Sequence, residues 1–330
     1  MDIKNLKLNI EQRILGAKKV VIVPHNRIDF DAIGSALGLA TIVRKMNARP
    51  TIVVNDNVKE LQRGIQIIMD DVSKDFEIVN RDKYLEMKED DDVYILTDVN
   101  KRGMVSFGDV IEYPDNTIII DHHNMDDTTI PSNATLVDEH VSSASEIVAR
   151  LMCMFRCKCP NEIATYLLAG IYLDTNHMSK NVGDDTFLAG SKLASMGANI
   201  NRVNDLFLED FTSDRRVQDL VNKVDIVTCT IATILADQNV VYTQEELAKA
   251  ADYVLKYGVD ASFAVGNVGD GVVQVSARSP ENIDVGEVMK ELGGGGNQSS
   301  GAARIADSSV EEVGKRLRKV LEPTGYHRPI

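Results

Sequence analysis

In the stretch VIVPHNRIDFDAIGS, residues 21–35, His25, Asp29 and Asp31 follow directly on an apolar run. Carboxylates this close repel one another unless a cation or an ion pair compensates them. The pattern recurs where DDVYILTD ends in Asp98 and where NTIIIDHH ends in Asp121, His122 and His123. In AGIYLDTNHMS, Asp174 ends a largely apolar helical run, at the negative end of the helix dipole, where something positive is needed beside it. His25, Asp29, Asp31, Asp98, His122 and Asp174 form one candidate set. In an extended H-x3-D-x-D segment Asp29 and Asp31 point to opposite sides, so that each serves a different cation with Asp98 and Asp174 between. Paired metal sites hold ions about 3.5–4 Å apart and activate water against phosphorus. Imidazole and carboxylate ligands without thiolate suit Mn²⁺, with Mg²⁺, Co²⁺ or Fe²⁺ as alternatives. Taken singly, Asp98 or Asp174 reads as a cap or turn residue. Their arrival at one edge of one sheet favours the metal reading.

That edge follows from the element pattern. KKVVIVPH, RPTIVVND, DDVYILTD and NTIIIDHH are short, Val/Ile-rich runs suited to strands covered on both faces. Helical stretches such as AIGSALGLATIVRKM and VKELQRGIQIIM alternate with them, and SSASEIVARLMCMF and NEIATYLLAGIYLDT follow. The order predicts a doubly wound α/β domain over residues 1–200, whose ligands bind beyond the carboxyl ends of the strands. Residues 201–224 read as a charged helical connector. Residues 225–330 read as a smaller α+β domain, with a hairpin in ASFAVGNVGDGVVQVSAR and a closing helix in SSVEEVGKRLRKVL.

Composition narrows the partners. The 330-residue chain carries a formal charge of -14, which excludes long nucleic acid as a ligand but not a small nucleotide held through divalent cations. Cys153, Cys157 and Cys159 form a C-x3-C-x-C cluster that lacks a convincing fourth zinc ligand nearby, and with Cys229 they read as thiols in a reducing cytoplasm. No apolar run approaches the ~20 residues of a membrane span, and the N-terminus reads as an amphipathic helix, so no membrane contact is expected from this chain itself. A homodimer is allowed but not required.

In the smaller domain, Gly293 to Gly296 precede NQSSGAARI, and consecutive glycines allow a backbone nest for phosphate. Arg278, at the end of a hairpin strand, suits phosphate pairing or base stacking. Arg278, Ser276, Gly294, Gly295, Gly296 and Asn297 are the candidate substrate-binding residues, on a domain expected to act as a lid for a nucleotide.

PHNRIDFDAIGS, LTDVN, IIDHHN and GIYLDT resemble, in order and spacing, four successive motifs of the DHH phosphoesterases, and ASFAVGNVGDGVVQVSARS with GGGG resembles the companion DHHA1 domain. The resemblance runs from about Lys18 to about Val320 and is greatest to the catalytic module of GdpP-type cyclic-di-AMP phosphodiesterases. It implies that His25, Asp29, Asp98 and Asp174 hold one Mn²⁺ and that Asp31, Asp98, His122 and Asp174 hold the second. It implies that Asp121 orients an imidazole and that His123 faces the substrate phosphate or leaving oxygen. Ser142 and Ser143 match a family position near the site, although a helix cap with Glu146 accounts for them. The family usually has GGGH where Asn297 stands here, which weakens the expected phosphate grip. GdpP-type proteins generally carry membrane and sensory segments before this module, so the chain reads either as a catalytic piece of a longer, membrane-tethered protein or as a stand-alone member.

The expected activity is hydrolysis of cyclic-di-AMP to linear pApA by metal-activated water. The alternatives are a phosphodiesterase for pApA or short oligonucleotides, and a non-hydrolysing cyclic-dinucleotide sensor. Pyrophosphate is a poorer fit, having no use for a hairpin Arg and a glycine nest.

Overall fold

No residue of strand Lys19–Val23 (β1) is exposed, and the two-residue period of a strand explains how. Val20 and Ile22 belong to one apolar cluster and Val21 and Val23 to another. The computed structural model describes residues 1–58, 61–105, 108, 111, 114–208, 211–228, 230–280 and 283–321. It divides into two compact units, Met1–Leu208 and Glu209–Ile330.

In the first unit β1 joins Arg49–Val53 (β2), Glu77–Val79 (β3), Val93–Thr97 (β4), Thr117–Asp121 (β5) and Ala134–Val137 (β6) in one sheet. All pairings are parallel, in the order β3-β2-β1-β4-β5-β6. The helices are Ile3–Ile14 (α1), Phe30–Lys45 (α2), Arg63–Val72 (α3), Arg81–Met87 (α4), Ala144–Met154 (α5), Asn161–Asp174 (α6), Asp184–Ser195 (α7) and Ile200–Leu206 (α8). α1, α2, α5 and α6 supply the apolar cluster on one face, while Tyr84 of α4 and loop residues such as Ile111 and Ile130 cover the other. The sheet is therefore of the doubly wound kind. Its order reverses between β1 and β4, and such a switch point opens a crevice beyond the carboxyl ends of the strands.

Two glycines set the spacing of α2 and α6. A Cβ on Gly34 would stand 2.6 Å from the Tyr166 carbonyl oxygen. One on Gly170 would stand 2.8 Å from Asp31 Oδ1 and would also strike Ser145 Oγ. The start of α2 and the end of α6 thereby meet at the crevice.

The second unit contains Phe211–Val221 (α9), Val224–Thr228 (β7), Ile231–Leu235 (β8), Gln244–Leu255 (α10), Ala261–Asn267 (β9), Val272–Arg278 (β10), Val285–Glu291 (α11), Gly295–Gly296 (β11), Ser300–Ala306 (β12) and Val310–Leu321 (α12). Its sheet is mixed, in the order β11-β12-β10-β9-β8-β7, with β8 and β9 parallel. Phe263 and Val265 of β9 pack with α11 and α12, and Ala264 packs with α9 and α10. β9 and β10 pair antiparallel, as the expected hairpin requires. The stretch 201–224 holds two helices, α8 and α9, with residues 209 and 210 between them outside the described residues.

Candidate metal centre

β1 ends at Val23 and α2 begins at Phe30, which leaves His25 and Asp29 in the loop at the crevice. Asp29 is the N-cap of α2, its Oδ1 accepting from the Ala32 amide at 2.9 Å. Its Oδ2 lies 3.5 Å from His25 Nε2. An extended H-x3-D-x-D segment was the expectation, but the segment turns helical at Phe30, because an Asp cap satisfies an otherwise orphaned amide of the first turn. Asp31 thus sits on the first turn of α2. The two carboxylates still diverge, Asp29 toward His25 and Asp31 toward α5.

Asp31 is fully buried, and its two oxygens accept from the amides of Ala144 and Ser145 at 2.7 Å each. These are the first amides of α5, whose dipole favours an anion there. Ser143 caps α5, accepting from the Glu146 amide at 3.1 Å, while Glu146 Oε2 accepts from the Ser142 hydroxyl at 2.6 Å. The helix-cap reading of the two serines accounts for both.

Asp98, one residue past β4, takes the left-handed backbone region at φ 57. Strain of this kind in a non-glycine residue is retained where surrounding structure over-determines it, often at functional sites. Its amide donates to the Ile120 carbonyl at 3.0 Å, which fixes it against β5. Its Oδ2 lies 3.3 Å from His25 Nε2 and its Oδ1 lies 3.4 Å from His122 Nε2. His122 Nε2 also stands 3.3 Å from Asp174 Oδ2 at the end of α6, and 3.9 Å from Asp31 Oδ2. The fold therefore gathers all six candidates. Three groups have ligand atoms within 4.8 Å of one another: His25 with Asp29 and Asp98, Asp31 with His122 and Asp174, and Asp98 with Asp121, His122 and His123.

Asp121 is buried and serves His123. Its Oδ1 accepts from the His123 amide at 3.2 Å and lies 2.8 Å from His123 Nδ1. The same oxygen accepts from the His122 amide at 2.8 Å. The imidazole that Asp121 orients is thus that of His123, whose side chain is 58% exposed. Asn100, absent from the sequence-based set, donates from Nδ2 to Asp121 Oδ2 at 2.6 Å and to the His123 carbonyl at 3.0 Å. Its position two residues after Asp98, on the motif LTDVN, was the available signal.

Crowded acids and imidazoles share protons. Burial, followed by the charges of Asp31 and Asp98, pushes the Asp174 carboxyl up to about 11. Burial and then Asp98 raise Asp31 to about 7. Burial works against a charged imidazole, yet Asp29 and Asp98 lift His25 to about 11, and Asp98 and Asp31 lift His122 to about 9. Burial opposes ionisation of Asp98, but His122 and His25 hold it below the usual range.

Metal fit rests on two orphaned atoms. Asp98 Oδ1 and His122 Nε2 are both buried and complete no hydrogen bond, a cost of about 1–3 kcal/mol for each such group. A cation between them would satisfy both. His25 Nδ1 lies 2.7 Å from the Asn26 carbonyl, which places an N–H there and turns Nε2, the atom a metal would take once its proton has left, toward the centre. Beside these atoms lies a cavity of about 390 Å³, lined by His25, Asp29, Asp98, Asp121, His123 and Asp174 together with Val99, Asn100, Lys101 and Met104.

The candidate substrate residues all lie in the second unit. Ser276 is buried on β10, where its Oγ accepts from Gln274 at 3.2 Å. Arg278 pairs with Asp252 of α10 at 3.1 Å. The glycine run departs from the open nest that its composition suggests. The amides of Gly293 and Gly294 donate to the carbonyls of Lys290 and Met289, and Gly295 and Gly296 form β11 against β12. Asn297 Oδ1 accepts from the amides of Ser299 and Ser300, which closes the turn between those strands. Cys153, Cys157 and Cys159 are free thiols, and Cys229 lies outside the described residues. Among the described residues no helix is long and apolar enough to cross a membrane.

Comparison with known proteins agrees with the motifs. The chain matches the family models for the DHH family N-terminal domain over residues 19–171 and for the DHHA1 domain over residues 228–322. It is 31% identical over 320 residues to the cyclic-di-AMP phosphodiesterase GdpP of Geobacillus thermodenitrificans, covering 94% of this chain and 48% of that protein. It is 28% identical over 326 residues to the cyclic-di-AMP phosphodiesterase PdeA of Listeria monocytogenes, covering 95% and 49%. The chain thus spans about half the length of each of these relatives. An exopolyphosphatase-related protein from Bacteroides fragilis shares the fold, with a TM-score of 0.76 at 22% identity over 97% of this chain and 96% of that one. On its paired motifs, its parallel sheet with a second mixed sheet, and these matches, the chain belongs to the DHH phosphoesterase family, with a DHHA1 domain following the DHH domain.

Proposed function

We propose that the chain is a metal-dependent phosphodiesterase that opens cyclic-di-AMP to linear pApA. The observation that carries the reading is the buried pair Asp98 Oδ1 and His122 Nε2, 3.4 Å apart and without hydrogen-bond partners, at the centre of an acid and imidazole cluster. His25, Asp29, Asp98 and Asp174 would hold one Mn²⁺, and Asp31, Asp98, His122 and Asp174 the other. Asp98 and Asp174 would be shared. Each Asp31 oxygen keeps a second lone pair beyond its amide bond. When bound, such ions lower the pKa of a water toward neutrality and neutralise phosphoryl oxygens.

The chain's own groups divide the remaining work. Asp121 holds His123 at Nδ1, so that Nε2 is the atom offered to substrate. The hydrogen bond to Asp121 also raises the His123 pKa, the direction that favours an imidazole able to donate a proton to the departing 3′ oxygen. Asp29 and Asp31, anchored by the ends of α2 and α5, keep the acids apart. The names of the two relatives supply support for cyclic-di-AMP as substrate. The test is incubation of the purified chain with Mn²⁺ and cyclic-di-AMP, with products resolved by chromatography. Accumulation of pApA is expected. No product with metal verified bound would refute the reading.

A further inference from the structure

Lys101 is the one lysine or arginine among the described residues lining the crevice cavity, where four carboxylates, Asp29, Asp98, Asp121 and Asp174, share the wall. Its backbone is held in place. Lys101 bridges antiparallel to Thr129, the Arg102 amide donates to the Thr128 carbonyl at 3.0 Å, and the Ile130 amide donates to the Asn100 carbonyl at 2.8 Å. The loop after β4 is thereby clamped to the 126–130 turn, three residues from Asp98. The ammonium itself is loosely committed. It pairs with Asp126 at 2.7 Å, and both side chains are substantially exposed, at 36% and 47%. Asp126 does not line the cavity.

An exposed pair of this kind contributes only about 0–1 kcal/mol. A phosphate entering the cavity can therefore draw the ammonium away from Asp126 at small cost. Cations bound among the carboxylates would serve the phosphate being cleaved. Among the described residues lining the cavity, Lys101 is the lysine or arginine left to meet a second phosphate of the same molecule.

Resting on the phosphodiesterase reading above, we propose that Lys101 is a specificity-determining residue that grips the non-reacting phosphate, so that the site selects nucleotides with two phosphates over diesters with one. Asp126 competes for the same ammonium and tunes that selection. Met104 and Val99 offer the adjacent apolar wall for a base or sugar.

The test compares cyclic-di-AMP, with two phosphates, and bis-p-nitrophenyl phosphate, with one, at saturating Mn²⁺. In Lys101→Ala the ratio of kcat/KM for cyclic-di-AMP to that for the single-phosphate diester should fall about tenfold or more, as loss of a charged hydrogen bond implies. Most of the change should lie in KM for cyclic-di-AMP, and Lys101→Arg should restore much of it. Asp126→Asn should move the ratio the other way, by about two- to threefold. An unchanged ratio in Lys101→Ala, or a fall in Asp126→Asn matching that in Lys101→Ala, would overturn the proposal. If the parent chain cleaves neither compound, the phosphodiesterase reading has failed. Binding of cyclic-di-AMP to the parent and the two variants then judges Lys101 separately: weaker binding only in Lys101→Ala supports it, and equal binding overturns it.

Discussion

His123 Nδ1 lies 2.8 Å from Oδ1 of the fully buried Asp121, and this contact decides which nitrogen of His123 meets the cavity. Of the two adjacent imidazoles, His122 aims Nε2 at Asp98 and Asp174, while His123 is turned outward by Asp121. One aspartate thus separates a histidine turned toward the acid cluster from one that lines the cavity. Replacing His123 by Ala should lower kcat by about 10²–10⁴-fold, the range for a positioned general acid, with metal binding retained. Steady-state kinetics together with metal titration check both halves. A large loss of metal with little loss of kcat at saturating metal would reverse the assignment.

Asn100 should matter through Asp121. Asn100→Ala leaves Asp121 Oδ2 buried without its 2.6 Å donor, at a cost of about 1–3 kcal/mol in stability. Denaturant unfolding measures that cost. Full stability in the variant would mean that the carboxylate finds another donor.

Metal binding should depend on pH with a definite sign. Asp174 and His25, raised to about 11, His122 to about 9 and Asp31 to about 7 all hold protons near neutrality. Ligation requires those lone pairs free, so binding must release protons and the affinity must rise with pH. Calorimetric titration with Mn²⁺ in buffers of different ionisation enthalpy should show proton release at about pH 7, and a Kd smaller at roughly pH 8 than at pH 6. A Kd that is flat over this range, or proton uptake, would contradict the picture.

Gly170→Ala should harm both fold and site. The new methyl would stand 2.8 Å from Asp31 Oδ1, and overpacking of this kind costs about 1–3 kcal/mol. Because the displaced group is a candidate ligand, Mn²⁺ affinity should fall alongside the melting temperature. Gly190→Ala, inside α7 with open space around its Cβ, is the matched control: Mn²⁺ affinity should be unchanged and the melting temperature should not fall, alanine being the better helix former.

Much of this centre was legible in the sequence because apolar strand runs end abruptly in acids and imidazoles. β1, β4 and β5 each stop where the run stops, and their parallel pairing brings those ends to one edge. The helical start at Phe30 was less legible, since Asp29 serves equally as cap and as candidate ligand. β12 escaped notice because SGAARIA is mostly small residues, which blur the strand period. Without that strand the glycine run read as a nest, whereas pairing with β12 makes it one side of a hairpin. Asn100 and Lys101 were missed for a different reason. Their roles depend on Asp121 and on the 126–130 turn, which only the tertiary fold brings near.

The most direct test of the account is a count of metal ions. Equilibrium dialysis against Mn²⁺ followed by elemental analysis should give about two ions per chain, the number a paired site requires. Asp98→Ala, which removes the shared carboxylate, should lower that number and abolish turnover. A parent chain that binds no Mn²⁺ or any of the alternative divalent ions, while keeping its fold, would contradict the central claim.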